Sequence, residues 1–121
     1  MSMSAAAVLA SRPRRKFSPR EYLAIERVSE CKSEYYEGGI FAMAGASEAH
    51  NLISLNTAAE LRAQLRTQGC RTYAHDMRVG ITHFGPFFYP DVSAACGEPK
   101  LLDRHKDTLL NPSLIVEVLS K

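Results

Sequence analysis

The stretch CRTYAHDMRVGITHFGPFFYPDVSAAC, residues 70–96, decides the fold class. Its first half alternates. Tyr73, His75, Met77, Val79 and Ile81 fall on one side of an extended chain, as a period-two strand requires. Asp76 and Arg78 share the other side, where opposite charges pair. HFGPF (83–87) turns the chain, with glycine and proline adjacent. FYPDVSAAC (88–96) then reads as a second strand.

Working upstream, Ser47 caps a helix that ends near Gln68, with Gly69 just past its end. Leu52, Leu55, Ala58, Ala59, Leu61 and Leu65 recur at helical spacing and predict one broad apolar face. KSEYYEGGIFAMAG (32–45) predicts a hairpin, with Gly38 and Gly39 supplying the positive φ angles of its turn. SPRE (18–21) is a capping-box pattern with proline at the first helical position. It opens a helix to about Glu30, with Tyr22, Leu23, Ile25 and Val28 as its apolar positions. Downstream, GEPKLLDRHKDTLLNP (97–112) reads as a polar loop. SLIVEVLSK (113–121) reads as a final strand buried on both faces, with a carboxylate, Glu117, in an apolar run. The predicted order is helix, hairpin, helix, strand, strand, strand. That is an α/β (α+β) domain, a mixed sheet with helices packed on it.

With 121 residues the chain has enough apolar side chains for one core. Its net charge of +2 is uneven. Arg12, Arg14, Arg15 and Lys16 lie in the first 16 residues, where there is no acid. Taking these four from the 15 basic residues leaves 11 against 13 acids. The body is therefore not a basic nucleic-acid clamp. Residues 1–17 are expected to form a disordered basic tail, and residues 18–121 the folded domain. The three widely spaced cysteines, Cys31, Cys70 and Cys96, predict reduced thiols in a cytoplasmic protein. No run approaches the length a membrane helix needs.

Asp91 follows Pro90, and Glu117 lies 26 residues on. Two adjacent strands bring such carboxylates together, and a cation between them relieves their repulsion. Mg²⁺ suits that arrangement, since it takes one or two carboxylates and keeps several waters. The plainer alternative is that Asp91 caps a turn and Glu117 pairs with Arg78.

YEGGIFAMAGASEAHNLI (36–53), DMRV (76–79), YPDV (89–92) and DTLLNPSLIVEVLS (107–120) together resemble the Uma-type endonuclease family. That family is a bacterial branch of the restriction-endonuclease-like, PD-(D/E)XK nuclease superfamily. The resemblance runs from Phe17 to Ser120. It implies a central mixed sheet flanked by helices, preceded by the N-terminal helix and hairpin. It also implies Mg²⁺-dependent (or Mn²⁺-dependent) endonucleolytic cleavage of DNA. Pro90-Asp91 matches the PD element and Glu117 the second acid, so Asp91 and Glu117 would be catalytic metal ligands. His50 and Glu37 match family positions and are accessory candidates, against the plainer readings of a helix-start histidine and a turn residue.

The chain departs from the pattern at the lysine. The superfamily places it two residues after the second acid, where this chain has Leu119. The resemblance to the Uma-type family implies that it has moved to a later helix. Lys121 shares a strand face with Glu117 but lies about 13 Å along the chain from it. It is the candidate third catalytic residue, against a solvated terminal lysine. The domain is thus expected to be C-terminally shortened and its cleavage impaired. An apolar sheet face left uncovered would favour a homodimer or looser association. The alternative function is an inactive remnant or non-enzymatic DNA-binding or interaction module, with RPRRK (12–16) contacting phosphates.

Overall fold

The computed structural model describes residues 15–119. Ser18 caps the first helix, α1 (Pro19–Glu26), through the expected reciprocal box. Its hydroxyl accepts from Glu21 N–H at 3.0 Å, and the Glu21 carboxylate accepts from Ser18 N–H at 2.9 Å. A hairpin follows, β1 (Ser33–Tyr36) and β2 (Gly39–Ala42). Ser47 caps α2 (Glu48–Leu65), a 3₁₀ turn covers Arg66–Gln68, and Gly69 closes it at φ 77°. The remaining strands are β3 (Cys70–Tyr73), β4 (Arg78–Gly80), β5 (Phe87–Phe88), β6 (Val92–Cys96), β7 (Thr108–Leu109) and β8 (Leu114–Val116).

The strands make two sheets. One runs β2-β1-β5-β4-β7, antiparallel except for the parallel β4–β7 pair. The other runs β3-β6-β8, antiparallel throughout. The mixed α+β architecture expected from the sequence is therefore present, but each long predicted strand is divided between the sheets. Residues 70–82 break at 74–77, and residues 88–96 break at Tyr89–Asp91. The register explains the bend. From Tyr73↔Ser93 to Val79↔Phe88 the first strand advances six residues and the second only five. One extra residue is absorbed there, and a bulge of this kind kinks a hairpin. Asp91 lies at the kink.

The core sits against both sheets. Tyr22, Tyr35 and Phe87 stack at ring separations of 5.2 and 5.5 Å, with Leu23 and Ile40 around them. Val79, Ala95 and Leu109 form a second cluster. A polar chain ties α1 to these strands. Glu26 Oε2 accepts from the Tyr89 hydroxyl at 2.6 Å and from Ser33 N–H at 2.9 Å. Arg78 donates to the Tyr89 oxygen at 3.1 Å and to Thr108 Oγ1 at 2.9 Å. Asp107 joins Arg78 to Arg27.

Several expectations are corrected. Helix α1 ends at Glu26, and Glu26 rather than Ile25 or Val28 completes its buried face. The hairpin turn is Glu37-Gly38, with φ 48° and 82°, one residue earlier than expected. Phe17, placed in the tail, packs on the aromatic cluster, and its carbonyl accepts from the Tyr35 hydroxyl at 2.7 Å. Asp76 pairs with Lys32 and not with Arg78, because the break at 74–77 separates them. The polar loop contains β7. Cys70 and Cys96 form a disulfide, as directly opposed residues of β3 and β6, and Cys31 is the free cysteine.

Two apolar surfaces also differ. The face of α2 turned to the sheet carries His50, Ser54, Thr57, Ala58, Leu61 and Leu65, none fully buried. Leu52, Ile53 and Leu55 point away and are more than half exposed. β8 is an edge strand, and Leu114 and Ile115 are exposed, so it is not buried on both faces.

Candidate active site

The β6–β8 register pairs Val92 with Val116. One step further along each strand are Asp91 and Glu117. Directly opposed residues of an antiparallel pair project to the same face, so the two carboxylates meet. The backbone past β8 fixes them further. Val118 N–H donates to Asp91 Oδ2 at 2.7 Å. Pro90 is fully buried, and Tyr89 is tied down by Glu26 and Arg78, so the approach to Asp91 is anchored from behind.

Helix α2 contributes His50 from its first turn, where Ser47 Oγ accepts its backbone N–H at 3.2 Å. The ring points at the acids. Nε2 lies 3.1 Å from Val118 O and 3.3 Å from Asp91 Oδ2. The side chains of His50 and Asp91 are only 13% and 16% exposed.

The electrostatics centre on Glu117. Although the residue as a whole is exposed, partial desolvation of its carboxyl is the largest influence raising its pKa. The negative charges of Asp91 and Glu34 and a hydrogen bond to Asp91 raise it further, with His50 opposing. Among the described residues, no lysine or arginine pairs with Asp91 or Glu117.

The predicted site residues thus separate. Asp91, Glu117 and His50 come together. Glu37 sits at the hairpin tip, where its carboxylate interacts with the Tyr36 hydroxyl. Lys121 lies outside the described residues. The hairpin acid that reaches Glu117 electrostatically is Glu34, which the sequence reading missed. Its signal was alternation in SEYY: with Tyr35 in the core, Glu34 takes the opposite face of β1.

Among the described residues, no group of three or more His, Cys, Asp or Glu side chains converges to hold a metal ion. What the site offers is two facing carboxylates, of which Glu117 has a raised proton affinity, with solvent on one side. That donor set suits a hydrated Mg²⁺ or Mn²⁺, which needs few protein ligands, and not an all-protein cage. A separate groove of about 570 Å³, lined by Leu23, Arg27, Phe84, Leu102 and His105, contains neither acid.

Comparisons with known proteins bear on the family and the fold. Residues 19–121 match the family model Uma2, described as "putative restriction endonuclease". Two uncharacterized Synechocystis proteins are similar. The protein sll1609 is 39% identical over 100 residues, covering 83% of this chain and 56% of its own length. The protein slr1290 is 36% identical over 111 residues, covering 91% and 57%. The chain therefore spans little more than half the length of these relatives. A crystal structure described as a "putative nuclease" from Anabaena variabilis superposes with a TM-score of 0.69 at 21% identity, over 86% of this chain and 59% of that one. At that identity the likeness establishes the fold.

Proposed function

This chain belongs to the Uma2 family, and from that premise we propose that its site serves divalent-metal-dependent hydrolysis of phosphodiester bonds in DNA. The observation that carries the reading is the opposition of Asp91 and Glu117, with Glu117 raised by partial burial and then by its acidic neighbours. With both acids ionised, two negative charges face each other at a solvent-open edge, and this favours a divalent cation. Such a cation would polarise a phosphate oxygen and lower the pKa of water.

The protein's own part is orientation. Val118 N–H and His50 hold Asp91 through Oδ2. Glu117 presents its carboxyl from the neighbouring strand. Glu34 adds negative charge beside it. Lys121 is proposed as the cation that meets developing charge on the phosphate. Loss of such a group costs about a hundred- to a thousand-fold in rate.

One observation favours a second reading, a metal-binding DNA module that does not cleave. Among the described residues no lysine or arginine stands beside the acid pair. Plasmid nicking in Mg²⁺ and in Mn²⁺, with wild type, Asp91→Ala and Lys121→Ala, tests the proposal. Metal-dependent nicking abolished by Asp91→Ala supports hydrolysis. DNA binding without nicking supports the second reading, and absence of both overturns the site.

A further inference from the structure

We infer that His50 is a positioning residue, fixed as its Nε2–H tautomer, which orients both acids at once. The inference rests on the metal-site reading above and deepens it. It starts from Val118, whose two backbone polar groups are both engaged. Its N–H donates to Asp91 Oδ2 at 2.7 Å, and its carbonyl lies 3.1 Å from His50 Nε2. A carbonyl oxygen only accepts, so Nε2 carries the proton. The same N–H faces Asp91 Oδ2 at 3.3 Å, a longer and weaker contact.

Three partners thus close a small clasp: the imidazole N–H, a carboxylate oxygen and the backbone N–H and C=O of Val118. Its consequences reach both acids. Asp91 is held through Oδ2, which accepts from Val118 N–H and lies beside the His50 ring. Glu117 immediately precedes Val118, so anchoring the Val118 backbone sets the direction from which Glu117 approaches. Without the clasp, the segment past β8 has no strand partner to hold it, since β8 ends at Val116.

The rest of the ring supports the assignment. Nδ1 is buried and has no partner among the described residues. The polar reach of His50 is therefore spent entirely on Nε2. The helix start that carries His50 is itself held by the Ser47 cap, so the ring is delivered from a rigid element.

The experiment compares wild type, His50→Gln, His50→Phe and Asp91→Ala. Glutamine keeps an N–H donor at similar reach, whereas phenylalanine keeps the shape and removes it. Mn²⁺ affinity is read by electron paramagnetic resonance, without DNA or turnover. Loss of a group that orients a metal ligand commonly weakens affinity about ten- to a hundred-fold. Phenylalanine is expected to show that loss and glutamine to recover most of it. Nitrogen-15 NMR of the imidazole at pH 8 is expected to show the Nε2–H tautomer. An Nδ1–H tautomer overturns the inference, as does Mn²⁺ binding by His50→Phe equal to wild type. If wild type and Asp91→Ala both fail to bind Mn²⁺ while the Nε2–H tautomer is present, the metal-site reading falls and takes the positioning role with it. If His50→Phe fails to fold, the glutamine variant and the tautomer still decide.

Discussion

The Tyr89 hydroxyl donates to Glu26 Oε2 at 2.6 Å, joining the last turn of α1 to the residue two before Asp91. Burial and this bond push the Tyr89 hydroxyl up to about 12, so it remains a donor at ordinary pH. Glu26 and Arg78 on either side are both buried. Tyr89→Phe removes the oxygen they share. The expected cost is about 1–3 kcal/mol, the penalty for leaving buried polar groups short of a partner. Urea denaturation measures it. A change indistinguishable from zero would show that the chain is not a structural tie.

Asp107 gives a pH prediction of known sign. Burial by itself raises this carboxyl, but hydrogen bonds from Arg27 and the charges of Arg78 and Arg27 overcome burial and hold it at about 2. A depressed folded-state pKa adds stability above the unfolded value near 4, and that stability is lost as pH falls toward 2. Asp107→Asn is expected to cost about 1–2 kcal/mol at pH 7, discounted because the side chain is one-third exposed. The difference from wild type should shrink steadily between pH 4 and pH 2. A pH-independent difference would contradict the assignment.

Glu117 behaves in the opposite sense. Its folded-state pKa is raised, so the ionised group opposes folding at neutral pH and stops doing so as pH falls through the raised value. Glu117→Gln is expected to raise the melting temperature at pH 7 and to leave it unchanged at pH 4. Millimolar Mg²⁺ should stabilise wild type at pH 7 and not Glu117→Gln. Equal effects of the substitution at both pH values would argue that the carboxyl stands alone.

Glu34 should be felt by Glu117 without touching its backbone. Glu34→Gln removes one neighbouring negative charge, so the Glu117 titration midpoint is expected to move down. Carbon-13 NMR of the side-chain carboxyl reads this directly. An unmoved midpoint would remove Glu34 from the site.

The Cys70–Cys96 disulfide crosses two strands 26 residues apart in sequence. Reduction is expected to lower stability by about 2–4 kcal/mol, the range for loops of this size. Thermal melts with and without dithiothreitol, alongside mass measurement under non-reducing conditions, test both the bond and its effect. Two free thiols in the untreated protein would contradict the pairing.

What the sequence revealed follows from range. The Ser18–Glu21 box and the Ser47 cap depend on residues three apart, and both formed as read. Asp91 and Glu117 were found as a pair of acids in two strand-like runs, and the family resemblance gave their order. The cysteine pair was missed because only the β3–β6 register makes those residues neighbours. Glu34 was missed because the family resemblance drew attention to Glu37, and nothing in the sequence alone brings β1 beside the end of β8. The break at 74–77 is invisible to alternation, since a bulge keeps strand-forming residues on both sides. The face of α2 was misread because Ser54 and Thr57 pack inward while Leu52 and Leu55 point out, a choice made by the sheet and not by the helix.

The extra residue absorbed between Tyr73 and Val79 has a geometric consequence. It makes chain length, rather than side-chain chemistry, the quantity that sets the angle between two halves of one hairpin. Removing a single residue from 74–77 would let both halves share one continuous ladder. The kink would relax, and the end of β6 that carries Asp91 would swing relative to the aromatic layer of Tyr22, Tyr35 and Phe87. Substitutions at His75 or Asp76 would leave that angle intact. The direction in which the acid pair faces is therefore written as a residue count in a segment that contributes neither acid.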